Sequence, residues 1–238
     1  GDQIALFADL SKSEDATAVV ACRVVDLFVS PMGCWERPAG WDEKSRGAWL
    51  VDRDEVDGVV RQAFHDYRVA WLGVDPGPAK EQGVLYWQAT LDGWMRDLAP
   101  KVRVRACRES PILYDMRLSE SGGARRLEQF TKAAEAVQQW VDEDGTDGPM
   151  RHSGDPQLSQ HVRDAKARPN QWGTSLGKVS RDSKRVVDLA VAMVGAVMGA
   201  RAVIASGKVP IRRVGASTNG TTGRRSGGRR AGGRGARA

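Results

Sequence analysis

The sequence predicts an α/β fold, a sheet of short buried strands flanked by helices, and three features of the 238-residue chain lead there. Residues 5–9 are an apolar run that closes on Asp9, followed by a Ser-rich polar turn and a second apolar run from residue 16, the pattern of a hairpin. Residues 69–75 repeat the form, ending on Asp75 before Pro76 and Gly77, which break a strand and open a loop. Between the two, Val56, Val59, Val60, Ala63 and Phe64 recur at helical spacing. Strand, helix and strand in that order predict a right-handed crossover that sets the Asp75 strand parallel to a strand of the first hairpin.

Taken in order, residues 1–9 form the first strand. Residues 16–28, interrupted by Arg23 and Asp26, form a second strand running into a third. Residues 31–46 read as a loop or hairpin tip, because Pro31, Gly33, Pro38 and Gly40 disfavour regular structure; Trp35 and Trp41 either close over the sheet edge or approach a nucleic acid. Residues 48–51 return to strand. Asp52 then caps a helix, with Glu55 three residues later in the capping-box position.

After a loop over residues 76–83, residues 84–98 read as a helix with Leu85, Trp87, Leu91, Trp94 and Leu98 inward. Val102 and Val104 alternate with Arg103 and Arg105 in a short strand with one wet face, where Arg103, Arg105 and Arg108 can meet phosphates. Ser119 or Ser121 begins a helix that runs to Trp140, with Leu127, Phe130, Ala134 and Val137 inward. Residues 142–148 are acidic but lack the terminal Glu of an EF-hand loop, so they read as a turn. Asp155 caps a helix over residues 157–167, with Pro156 suited to its first position. Leu176 and Val179 flank Lys178 in a short strand-like piece, and Asp182 or Ser183 caps a last long helix that brings Asp188 to its first or second turn.

Composition bounds the function. A hydrophobic content of 41% and a charged content of 28% are those of a soluble globular domain with a core adequate without staples. Cys22, Cys34 and Cys107 form no CxxC pair, which argues against a zinc knuckle or a disulfide framework and for a reducing cytoplasm. Residues 186–204 come nearest to a membrane span, but they carry Asp188 and Arg201 and read as a core helix. The chain opens with no secretory pattern, and its lack of an initiating Met predicts a fragment or a processed product. The formal charge is +6, yet residues 211–238 hold eight Arg and no acid, so removing them leaves −2 on residues 1–210. The folded unit is therefore expected over residues 1–208. Residues 209–238, with Arg224 and Arg225, are expected to be a disordered Arg/Gly tail that either tethers nucleic acid by counterion release or merely solubilises the chain.

Asp9, Asp75 and Asp188 each stand in apolar surroundings, where a carboxylate costs several kcal/mol of desolvation unless something cationic meets it. If the first two close neighbouring parallel strands and the third rides on a helix packed across them, all three converge. Such a cluster repels itself until divalent cations fill it, and hard oxygen donors suit Mg²⁺ or Mn²⁺.

The segment from Asp9-Leu10-Ser11-Lys12-Ser13 to Asp15, then Val74-Asp75-Pro76, then His152-Ser153-Gly154-Asp155-Pro156 with His161, then Lys178 ahead of Val187-Asp188-Leu189, resembles the nuclease domain of tailed-bacteriophage large terminase subunits, over about residues 3–205. The resemblance implies an RNase H-like fold, with a mixed sheet of five or more strands, and a two-metal endonuclease that cuts double-stranded viral concatemers during genome packaging. By that resemblance Asp9, Asp75 and Asp188 are the catalytic metal ligands for two Mg²⁺ or Mn²⁺ ions, Asp9 bridging both, and Lys178 is similar to auxiliary basic residues near the family's third acid; Asp15 is either an auxiliary ligand or outer-shell partner, or simply a turn residue. The resemblance also implies an ATPase domain, a small terminase subunit and a portal protein as partners, a place in the host cytoplasm and no membrane. The chain holds no GxxxxGK[ST] phosphate loop, since Ser206-Gly207-Lys208 lacks the rest of that motif, so translocation is expected to belong to another domain or chain. Two further readings stay open: another RNase H-like DNA nuclease, such as a junction resolvase or transposase core, and a non-catalytic DNA-binding module.

Overall fold

The computed structural model describes residues 1–13, 15–142, 149–180, 183 and 185–208. Its strands are β1 (Gln3–Asp9), β2 (Thr17–Arg23), β3 (Phe28–Trp35), β4 (Arg68–Asp75), β5 (Lys80–Glu81), β6 (Val84–Leu85), β7 (Arg151–His152), β8 (Lys166–Asn170) and β9 (Gly173–Gly177). Its helices are α1 (Glu43–Arg46), α2 (Arg53–Asp66), α3 (Gln88–Asp97), α4 (Gly123–Asp142), α5 (Pro156–Asp164) and α6 (Asp188–Ser206), with a 3₁₀ turn at Ala99–Lys101.

Five strands make one mixed sheet in the order β4-β1-β2-β3-β7. As the crossover predicts, β1 runs parallel to β4 and antiparallel to β2. Ile4 to Ala8 are all buried, which marks β1 as a central strand covered on both faces. Alternation then feeds two cores. Ala5 and Phe7 join Trp71, α4 and α6 on one side, while Ile4, Leu6 and Ala8 join Leu72, α2 and α3 on the other. The result is a sheet between two helical layers, the RNase H-like arrangement.

The last helix is by length and composition able to cross a membrane, but twelve of its residues are buried against β1, β2, β4 and the neighbouring helices. It comes close because Gly195 and Gly199 present no side chain: a Cβ on either would collide with the ring of Phe7 or of Trp71. Val187, the residue in the N-cap position, gives the helix no side-chain cap. Asp182, one of the two expected caps, lies outside the described residues, as do residues 209–238 and most of the expected acidic turn.

Several boundaries differ from expectation. Strand β3 continues through Pro31 and Gly33 to Trp35, because the Val19/Val20 irregularity in its pairing with β2 accommodates the proline. Residues 48–51 form no strand; Val51 instead donates its N–H to the Lys12 carbonyl at 2.9 Å and buries its side chain. Asp52 does cap α2, accepting from the N–H groups of Asp54 and Glu55, but Glu55 accepts from Trp35 Nε1 at 3.0 Å, so the capping box does not close. Residues 80–85 form the small β5/β6 hairpin, and α3 starts only at Gln88. Residues 102–105 pair with no strand: the Arg103 and Val104 N–H groups both reach the Ala70 carbonyl. Residues 166–177 form a two-stranded hairpin: the strand-like piece expected around Lys178 lies earlier and ends at Gly177, and the helix expected to reach residue 167 stops at Asp164.

Candidate functional site

The register of β1 and β4 puts Asp9 directly abreast of Asp75, and the Leu10 N–H donates to the Asp75 carbonyl at 2.9 Å. Both acids thus end parallel strands, where open sheets place their ligands. The chain leaves β4 through Gly77, whose φ of 64° and close approach to the Leu10 carbonyl admit no side chain. The Gly77 N–H donates to Asp75 Oδ1 at 3.3 Å, which fixes that carboxylate. Asp188 is the first residue of α6, and its Oδ2 accepts from the Val187 N–H at 3.3 Å. Asp9, Asp75 and Asp188 line one open cleft of about 350 Å³, together with Asp15, Met116 and Arg117.

The electrostatics follow from this crowding. Burial, then Asp188, then Asp75 raise the Asp9 carboxyl well above its ordinary range, against a smaller opposing pull from Lys178. Burial and Asp115 push Asp75 up to about 7, with the Gly77 N–H and Arg117 acting against them. Burial likewise raises Asp188, opposed by Lys178. Burial disfavours the charged form of all three, Asp9 is in addition repelled by both of the others and Asp75 by Asp115, and the opposing cations do not compensate. Three hard oxygen donors in such a setting fit Mg²⁺ or Mn²⁺.

Of the two residues expected to be auxiliary, Asp15 lines the cleft and accepts from Lys178, whose side chain is mostly buried. Arg103 and Arg105 are not part of it. Arg103 lines a depression with Gln3 and Arg68, at the far ends of β1 and β4, and Arg105 lines another with Arg108 and Lys208. Arg224 and Arg225 lie outside the described residues.

A second group of ligand-type atoms, on Cys34, Glu36 and His161, is less suited to a metal. His161 Nδ1 accepts from the Leu189 N–H at 3.0 Å, so the ring proton sits on Nε2, which meets Glu36 Oε1 at 2.7 Å. A metal on Nε2 would need the opposite tautomer, with two N–H groups facing each other. The group instead pins the start of α6, one residue beyond Asp188.

Sequence reasoning missed two residues here. Val74 donates its N–H to the Ile112 carbonyl and accepts from the Tyr114 N–H, so residues 112–114 lie beside the end of β4 through one parallel bridge. Asp115 and Arg117 are carried to the cleft by that bridge. A signal was present, since Ile112-Leu113-Tyr114-Asp115 is a third apolar run that ends on an acid.

No protein-family model matches the chain. It is 34% identical over 204 residues to the "Gene 13 protein" of Mycobacterium phage L5, and equally to that of Mycobacterium phage D29, matches that take in 84% of this chain. The chain spans about 30% of the length of these curated relatives. Among solved structures, the large terminase of bacteriophage HK97 superposes with a TM-score of 0.51 at 17% identity, covering 83% of this chain and 39% of that one. The large terminase nuclease of thermophilic phage G20c with bound magnesium gives 0.45 at 13% identity, covering 82% and 80%. The chain thus shares its fold with part of the bacteriophage HK97 large terminase.

Proposed function

We propose that this chain is a metal-dependent endonuclease that cuts double-stranded DNA during phage genome packaging, as the nuclease part of a large terminase. The observation that carries the reading is the meeting of Asp9, Asp75 and Asp188, from three distant parts of the chain, in one cleft where burial disfavours the ionisation of all three and Asp9 is repelled by the other two. Structural carboxylates are ordinarily paired with cations or backbone donors; a set that repels itself is costly unless it has work to do.

In this reading Asp9, Asp75 and Asp188 would together hold two Mg²⁺ or Mn²⁺ ions. When bound, such ions supply a water of lowered pKa and charge stabilisation at the transferring phosphate. The protein's part is positioning. The β1/β4 register and the Gly77 turn fix two carboxylates, and the His161 anchor fixes the start of α6. Lys178 sits where it offsets negative charge near Asp9 and Asp188. No side chain is needed as general base.

The partners follow from the same reading: an ATPase unit in the same or another chain, a small terminase subunit and the portal, in the host cytoplasm. The test is nicking of supercoiled plasmid with Mn²⁺. The unsubstituted chain is expected to nick, and Asp9→Asn and Asp188→Asn to abolish nicking with the fold, read by circular dichroism, intact. Unchanged nicking in either variant refutes the assignment. Preference for four-way over linear DNA would instead indicate a resolvase.

A further inference from the structure

We infer that Arg117 is a phosphate-contacting residue of this cleft, and that Asp115 is its positioning partner and not a further metal ligand. The inference deepens the nuclease reading and rests on it. Asp115 is a buried carboxylate close enough to Asp75 to raise it, so by proximity alone it is a fourth candidate ligand. Its oxygens are already committed. Arg117 Nε donates to Asp115 Oδ1 at 2.9 Å and to Oδ2 at 3.1 Å, and Arg117 Nη2 donates to Oδ2 as well. The Arg117 N–H also reaches Oδ1 at 3.0 Å, which closes a tight turn. This fork-on-carboxylate geometry is strong and directional, and it aims the guanidinium.

The turn that carries the pair is itself anchored. Arg126, with its side chain almost wholly buried, donates from Nε to the Asp115 carbonyl at 2.6 Å and from Nη1 to Glu109 at 3.1 Å. Arg117 is thereby held at the Asp75 side of the cleft, with Lys178 on the Asp15 side. Glu120 stands 3.5 Å from Nη2, and among the described residues Nη1 has no protein partner. A side chain fixed by one edge and unengaged at the other, beside an anion-repelling acid cluster, is placed to bind the non-bridging oxygens of a DNA phosphodiester. It needs no rearrangement to do so, which is the condition for stabilising charge at the phosphate.

The experiment uses the full 238-residue chain, with DNA binding measured in Ca²⁺ across a salt series and cleavage measured in Mn²⁺. Arg117→Gln is expected to lower kcat/KM by about 10²-fold and to make the slope of log K against log salt shallower by about 0.9, the loss of one phosphate contact. The Mn²⁺-induced rise in Tm is expected to remain. Asp115→Asn is expected to lower kcat/KM similarly, and the double variant to lose little more, because the two act as one unit. Arg117→Lys keeps the charge and is expected to keep the slope. An unchanged slope in Arg117→Gln overturns the inference whatever kcat/KM does, and so does loss of the Mn²⁺ response in Asp115→Asn with its retention in Arg117→Gln, which would make Asp115 a ligand. A parent chain that fails to cut with Mn²⁺ overturns the nuclease reading, whereas a parent that cuts beside an Arg117→Gln variant with an unaltered slope overturns only this one.

Discussion

At the scale of single residues, the three cleft acids work against the fold that holds them. Asp75 illustrates the sign. Its carboxyl is raised from an ordinary 3.8 to about 7, so the folded chain binds the proton more tightly than the unfolded chain does. The stability this contributes is fully present below about pH 4 and is lost as pH rises through about 7. Above that pH the metal-free protein holds an ion its surroundings disfavour. Asp75→Asn is therefore expected to raise the Tm of the metal-free chain at pH 7.5 and to leave it unchanged below pH 4. Mn²⁺ should stabilise the parent chain more than the variant, as a ligand that binds only the native state must. Scanning calorimetry at the two pH values, with and without Mn²⁺, checks both statements. His161 makes a different point: it is buried between Glu36 and the Leu189 N–H. His161→Ala leaves that N–H without a partner and is expected to cost about 1–3 kcal/mol in urea denaturation.

At the scale of elements, the position of Asp188 depends on how near α6 lies to the sheet. Gly199→Ala would drive a methyl group into the Trp71 indole, and overpacking of this kind costs typically 1–3 kcal/mol. It is expected to lower nicking beyond what its loss of stability explains, because the helix that carries Asp188 must shift. Asp52→Ala is the control. Loss of that cap should cost about 1 kcal/mol and leave nicking per folded molecule unchanged, since α2 lies under the other face of the sheet. These two helices also show what the sequence discloses. The spacing of α2 and its capping Asp are local signals, and so are the apolar runs that end on Asp9 and Asp75; all were legible. The start of α6 at Asp188 was less so, because it is held by His161 and not by a nearby cap. Strand β3 was cut short because Pro31 and Gly33 look like breakers until the bulge between them, at Met32, is known. The Arg117 and Asp115 pair was hidden for a related reason: only the single bridge to Val74 brings it to the cleft, and no periodicity announces one bridge.

At the scale of the whole molecule, the cleft opens at one end of the parallel strands and adjoins a wider groove of about 870 Å³ lined by Asp15, Trp41, Lys44, Lys178 and Val186. Asp15 lines both. The exposed Arg68, Lys101, Arg103 and Lys208 gather at the other end. With residues 1–210 carrying −2 and residues 211–238 eight arginines, general attraction to DNA is expected to come from the terminal segment. Its removal should weaken DNA binding and flatten the salt dependence, with Tm unchanged, as fluorescence anisotropy over a salt series would show. The central claim, that residues 9, 75 and 188 form one cation site, is tested most directly by anomalous diffraction from crystals soaked in Mn²⁺. The account predicts Mn²⁺ peaks between these three carboxylates. A cleft that stays free of Mn²⁺ while peaks form elsewhere, at Cys34, Glu36 and His161 for instance, would contradict it.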